Sequence, residues 1–141
     1  MTEQLFVYGT LRKDSRRSMH RMLGQQATFV GYGHTRGHLY HLGGYPGLVP
    51  SGEARAWVRG EVYALAHPSE VLARLDDYEG CGPNDAKPYE FERVKGEVVL
   101  ESGEIRVAWI YVYAGMLGGR TEIASGDYCS QLGDSKPEPR E

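Results

Sequence analysis

Cysteine is nearly absent: the 141-residue chain has two, Cys81 and Cys129, and no C-x-x-C pair. That count rules out a disulfide scaffold and a dithiol redox motif, and free thiols in a reducing cytoplasm are expected. No run approaches about 18 consecutive apolar residues, so no segment is suited to cross a bilayer as a helix. The start of the chain enters a strand directly, without the basic-then-apolar order of a signal peptide. An excess of one charge is also lacking. The 16 Lys and Arg against 19 Asp and Glu leave a net charge of -3. The basic residues are scattered, which gives no electrostatic footprint for nucleic acid. The 19 glycines follow no fixed period, so a repeat architecture is excluded. A cytoplasmic protein with neither nucleic acid nor a membrane as partner is expected.

What is present is one domain's worth of alternating pattern. A chain of this length can bury roughly two-thirds of its unfolded surface. Residues 1–131 are assigned to a single domain, and the polar, proline-containing stretch 132–141 to a disordered tail. Leu5 to Tyr8 reads as a strand that breaks at Gly9. Arg16 to Leu23 reads as a short helix, with Ser15 as N-cap and Gly24 as its stop. Residues 27–42 look extended but broken by Gly31, Gly33 and Gly37. A turn-rich loop with a very short strand covers Gly43 to Pro50, and Trp57 to Leu65 is another strand. Pro68 opens a helix with Val71, Leu72, Leu75 and Tyr78 on one stripe, ending near Asp77 or Tyr78 with Gly80 as stop. Strands Tyr89 to Leu100 and Ile105 to Tyr113 follow, joined by the hairpin turn Glu101 to Glu104. In the second of these, Ile105, Val107, Trp109, Tyr111 and Tyr113 alternate onto one face, which is expected to be buried. The sum is roughly six strands and two helices, mostly antiparallel: an α+β fold whose glycine bends suit a small barrel.

Few residues carry chemistry. The run Gly31 to Gly37 misses the dinucleotide G-x-G-x-x-G spacing by one, and no helix follows it. His34, His38 and His41 have no acidic or cysteine ligand at obvious spacing, so no metal is expected. Two places remain. In Tyr8-Gly9-Thr10-Leu11 the glycine lets the backbone bend, and successive amides can form a nest for an anion, or the stretch is only a turn. At the end of the second helix, Asp76, Asp77 and Glu79 crowd the negative pole of the helix dipole. A carboxylate there that is also partly buried has a raised pKa, as a general base or acid near neutral pH needs; solvated, it merely ends a helix. Cys81, two residues further, is either a nucleophile served by a histidine or a small loop residue.

Taken together, Tyr8-Gly9-Thr10-Leu11 and Leu75-Asp76-Asp77-Tyr78-Glu79-Gly80 resemble the gamma-glutamylcyclotransferase-like family, in particular its gamma-glutamylamine cyclotransferase branch. The likeness spans residues 4–128. It is carried further by Gly60-Glu61-Val62-Tyr63, by the aromatic strand Ala108 to Tyr113 and by Ser125-Gly126-Asp127-Tyr128. It implies a mixed, mostly antiparallel β-barrel-like sheet with flanking helices. The implied reaction is intramolecular acyl transfer on a gamma-glutamyl amide, releasing 5-oxoproline and a free amine. Glu79 would be general base and acid, and Tyr8, Gly9, Thr10 and Leu11 would bind the glutamyl moiety. Arg12, Tyr89, Arg93 and Tyr113 are candidates for the pocket wall. The substrate supplies its own nucleophile, so no cofactor or metal is implied. Family members place an aromatic-x-Arg strand soon after the glutamate; here Phe91-Glu92-Arg93 follows a longer loop, 82–88. A binding module on the same fold, without catalysis, is the alternative.

Overall fold

The computed structural model of the chain describes residues 3–8, 26–42, 46–53, 55–79, 81 and 89–126, with side chains except at 77–79. The expected helix Arg16 to Leu23, the turn residues Gly9 to Arg12, loop 82–88, Asp127-Tyr128, Cys129 and the tail 132–141 lie outside the described residues. Among the described residues are six strands and one helix: β1 (Gln4–Val7), β2 (Ala27–His41), β3 (Pro46–Pro50), β4 (Trp57–Leu65), α1 (Pro68–Glu79), β5 (Phe91–Leu100) and β6 (Ile105–Tyr113).

The sheet runs β3-β2-β4-β1-β6-β5, and β5 returns to pair with β2. Five strands therefore close into a barrel, with β3 attached as an edge through β2. All pairings are antiparallel except β1 with β6, where Leu5 registers with Trp109 in parallel. Closure rests on two residue pairs, Gly33↔Leu100 and His34↔Val99. The Thr35 hydroxyl adds a bond to the Glu97 carbonyl at 2.7 Å.

Contrary to the sequence reading, β2 is continuous across its glycines. A bulge between Phe29 and Gly31 takes up the curvature. At Gly33 a Cβ would sit 2.9 Å from the Val99 carbonyl, so the glycine admits the closing strand instead of ending its own. Pro46 and Pro50 are tolerated because β3 is an edge with ladder bonds on one side only.

Strand residues alternate between two cores. Phe6, Tyr8, Leu39, Val58, Val62, Val98, Ala108, Ile110 and Val112 point into the barrel. Leu5, Val7, Tyr63, Leu65, Phe91, Tyr111 and Tyr113 point outward and are covered by Val71, Leu72 and Leu75 of α1. Pro68 suits the first helical turn, which needs no N–H there, and the Val71 N–H closes that turn on the His67 carbonyl at 2.9 Å.

The expected buried face of β6 is thus corrected. Its odd residues form the outer face, and α1 covers only the far end of it: Tyr111 and Tyr113 are buried, while Ile105 and Val107 are 59% and 58% exposed. The barrel interior takes the even set. Among the described residues no helix is long and apolar enough to cross a membrane.

Candidate functional site

Tyr8, at the end of β1, turns its ring into the barrel. Its hydroxyl donates to the Tyr111 carbonyl and accepts the Leu48 N–H at 3.1 Å. One oxygen so links three strands: β1, β6 and β3. Gly9, Thr10, Leu11 and Arg12 follow immediately, outside the described residues.

The end of α1 is fixed through Asp76. Its main-chain carbonyl accepts the Cys81 N–H at 2.9 Å. That is the six-residue closure of a helix C-terminus, and it makes Glu79 the capping residue. Its carboxylate, with 17% of the side chain exposed, accepts Arg93 Nε at 2.8 Å and Arg93 Nη2 at 3.1 Å. The Tyr111 hydroxyl donates to the same carboxylate at 2.7 Å, and Cys81 Sγ stands 3.8 Å away. Such a paired, multiply bonded carboxylate is the form in which a charge survives partial burial.

The partners respond accordingly. The hydrogen bond to Asp76 holds the Arg93 proton above the ordinary guanidinium range, against the opposing effect of burial. Burial first, and then the bond to Asp76, pushes the Tyr111 phenol far above its ordinary value, so it stays a donor. Arg93 also stacks over the Trp109 ring at 4.4 Å. The Trp109 indole N–H donates to Glu3 at 2.7 Å, and that bond is the main cause lowering the Glu3 pKa.

The remaining candidates fall into place around this group. Arg93 reaches inward to Asp76. Tyr113 is buried, its hydroxyl donating to the Met116 carbonyl at 2.9 Å and its ring edge-on to Phe91. Tyr89 is half-buried just before β5. Glu79 lies on the last turn of α1, three residues after Asp76; its side chain is not described. Cys81 meets a carboxylate, Asp76, at 3.8 Å.

Three polar side chains have partners that the sequence does not single out. Asp76 was one of three acids at a helix end, and only its partners, 17 and 35 residues away, single it out. Tyr111 read as core packing. Glu61, wholly buried on β4 opposite Val7, accepts the Tyr63 hydroxyl at 2.8 Å; its apolar strand neighbours give no signal of a buried carboxyl group.

A separate groove of about 380 Å³ lies on the outer side of β2. There His38 stands between Glu122 at 2.8 Å and Glu53 at 3.1 Å. Ser125 and Gly126 line it, and the Gly126 carbonyl accepts the Arg59 N–H at 2.7 Å.

Comparison with known proteins identifies the family and its fold. Residues 5–130 match the model of the family described as gamma-glutamyl cyclotransferase, AIG2-like. A Vibrio cholerae protein whose name provisionally assigns it as a gamma-glutamylcyclotransferase is 35% identical over 136 residues, covering 94% of this chain and 100% of the other. The Escherichia coli gamma-glutamylcyclotransferase family protein YtfP is 33% identical over 125 residues, covering 89% of this chain and 95% of the other. The crystal structure of an AIG2-like protein from mouse superposes with a TM-score of 0.72 at 25% identity, over 99% of this chain and 97% of that one. The closed mixed barrel with one packed helix, and a match running from β1 to beyond β6, make this chain a member of the AIG2-like gamma-glutamyl cyclotransferase family.

Proposed function

We propose that the protein is a gamma-glutamylcyclotransferase that converts a gamma-glutamyl amide into 5-oxoproline and a free amine in the cytoplasm. The substrate's α-amino nitrogen attacks its own side-chain carbonyl, a five-membered ring closes and the amide C–N bond breaks. The proton lost by the attacking nitrogen ends on the departing amine. Glu79 takes that proton and returns it, serving as base and then acid. The amides of the Tyr8-Gly9-Thr10-Leu11 turn hold the substrate's α-carboxylate and the oxyanion of the tetrahedral intermediate. Holding amine and carbonyl together supplies much of the rate.

One observation carries the reading. The hydrogen-bond chain Tyr8–Tyr111–Asp76 ties the residue that begins the turn to the helix end on which Glu79 stands. A second supports the choice of base: both carboxylate oxygens of Asp76, the neighbouring acid, are already taken up by Arg93 and Tyr111.

The test is detection of 5-oxoproline from a panel of gamma-glutamyl amides, with Glu79→Gln in parallel. Wild type is expected to release it from some members, and E79Q to be slower by about 10²–10⁴-fold while folding normally. A folded E79Q with near-normal turnover would refute the assignment.

A further inference from the structure

The geometry points to Asp76, Arg93 and Tyr111 as positioning residues: a clamp that sets where Glu79 stands against the Tyr8 turn, and in what electrostatic field. The inference rests on the reading of Glu79 as the base.

Helix C-termini leave their last carbonyls unpaired and tend to fray. Here the last turn is held from both sides of one residue. The Asp76 carbonyl takes the Cys81 N–H, and its carboxylate takes two N–H bonds from β5 and one O–H bond from β6. Backbone and side chain together stop the turn that bears Glu79 from unwinding or swinging.

Tyr111 adds the ruler. Its hydroxyl meets Asp76, and its own carbonyl meets the Tyr8 hydroxyl. Tyr8 and the helix end are therefore linked through one aromatic residue within a strand. Ring closure depends on placement at the ångström scale, so loosening either end costs rate before it costs binding.

The clamp also sets charge. Facing Asp76 are Arg93 from β5, Tyr111 from β6 and the Cys81 thiol beyond the helix; on its own helix stand Asp77 and Glu79. Behind the Arg93–Trp109 stack lie Lys95, 4.9 Å from the ring centroid, and Glu3, 3.5 Å from Lys95 Nζ. Asp76 balances Arg93, so the site presents no net cation to Glu79. Glu79 follows Asp76 by three residues on the same helix.

The test compares kcat, KM and the pH profile of kcat/KM for full-length wild type, Asp76→Asn, Tyr111→Phe and Glu79→Gln, on whichever gamma-glutamyl amide turns over fastest. Y111F is expected to lower kcat by about 10–100-fold with KM within about threefold. D76N removes a negative charge and leaves Arg93 unbalanced, which favours ionised Glu79. Its acidic limb should move to lower pH by about half a unit to one unit. A purely structural role would lower Tm without moving that limb. If D76N and Y111F keep kcat within twofold and the limb in place while E79Q is inactive, the clamp inference alone is overturned. An active E79Q overturns the base assignment and the inference with it. Should D76N not fold, Y111F lacks a single oxygen atom and decides the matter: unchanged kcat refutes the clamp.

Discussion

Replacing Tyr8 by Phe removes one oxygen from the residue that opens the proposed binding turn, and it separates a frame role from a ligand role. Tyr8 is 6% exposed. The variant loses the donation to the Tyr111 carbonyl and the acceptance of the Leu48 N–H. A net hydrogen bond contributes about 0.5–1.5 kcal/mol, and leaving its buried partner unmet adds to the loss. Two such bonds give a destabilisation of about 2–3 kcal/mol. The unfolding entropy at the midpoint is about 0.3 kcal/mol/K for a chain of this length, so Tm should fall by about 7–10 °C. Thermal melts followed by circular dichroism, with urea midpoints as a check, measure this directly. A constant m-value would show that the unfolded reference is unchanged. KM for the gamma-glutamyl substrate should rise only about threefold or less, because the hydroxyl is committed to the backbone. A Tm within 2 °C of wild type together with a KM raised roughly tenfold would refute this, since the hydroxyl would then be meeting substrate and not the barrel frame.

Gly60→Ala is expected to abolish soluble folded protein: the new Cβ would lie 2.3 Å from the Val7 carbonyl and 2.6 Å from the Phe6 ring, forcing β1 off β4. A wild-type-like melt of that variant would contradict the packing described. His38 has a raised pKa, chiefly through its hydrogen bond with Glu122 and also through Glu53. A group whose pKa is raised on folding stabilises fully below its unfolded value, about 6.5, and loses that contribution as pH climbs through the folded value. The urea-midpoint advantage of wild type over His38→Gln should therefore shrink from pH 6 to pH 8; a constant difference would remove His38 as the cause.

Much of the frame is visible in the chain itself. The strands Trp57–Leu65 and Ile105–Tyr113 have the bounds that alternation and flanking turns suggest, and α1 begins at Pro68 as expected. Which face of β6 is inside is another matter. Between 108 and 113 both faces are apolar, because one lines the barrel and the other lies under α1. A period of two then has nothing to discriminate, and the exposed Ile105 and Val107 mislead because they are apolar as well. Glycines in β2 read as breaks, yet whether a glycine interrupts a strand or admits a neighbour depends on Val99, 66 positions away. The site divides likewise. Tyr8 and the acidic helix end are legible as separate local signals. Their joint, Tyr111, pairs with Tyr8 across 103 residues and with Asp76 across 35. Arg93 reads as a candidate for the pocket wall, but that its partner is Asp76 emerges only from the pairing of β5 with β6 beside the end of α1.

The placement of β1 has a consequence for how the molecule is made. The first strand in the chain sits between β4 and β6, the latter spanning residues 105–113. During synthesis one edge of β1 therefore stays open until residues 105–113 have emerged. The seam between β2 and β5 cannot form before residues 99 and 100 are available. Long-range pairings of this kind slow folding and leave apolar edges exposed while they wait. A nascent chain halted before β6 should then be a substrate for chaperones, with Phe6 and Leu5 still uncovered on the β6 side. Circular permutation that starts the chain at β5 would bring β5, β6 and β1 together first and should shorten that exposed interval.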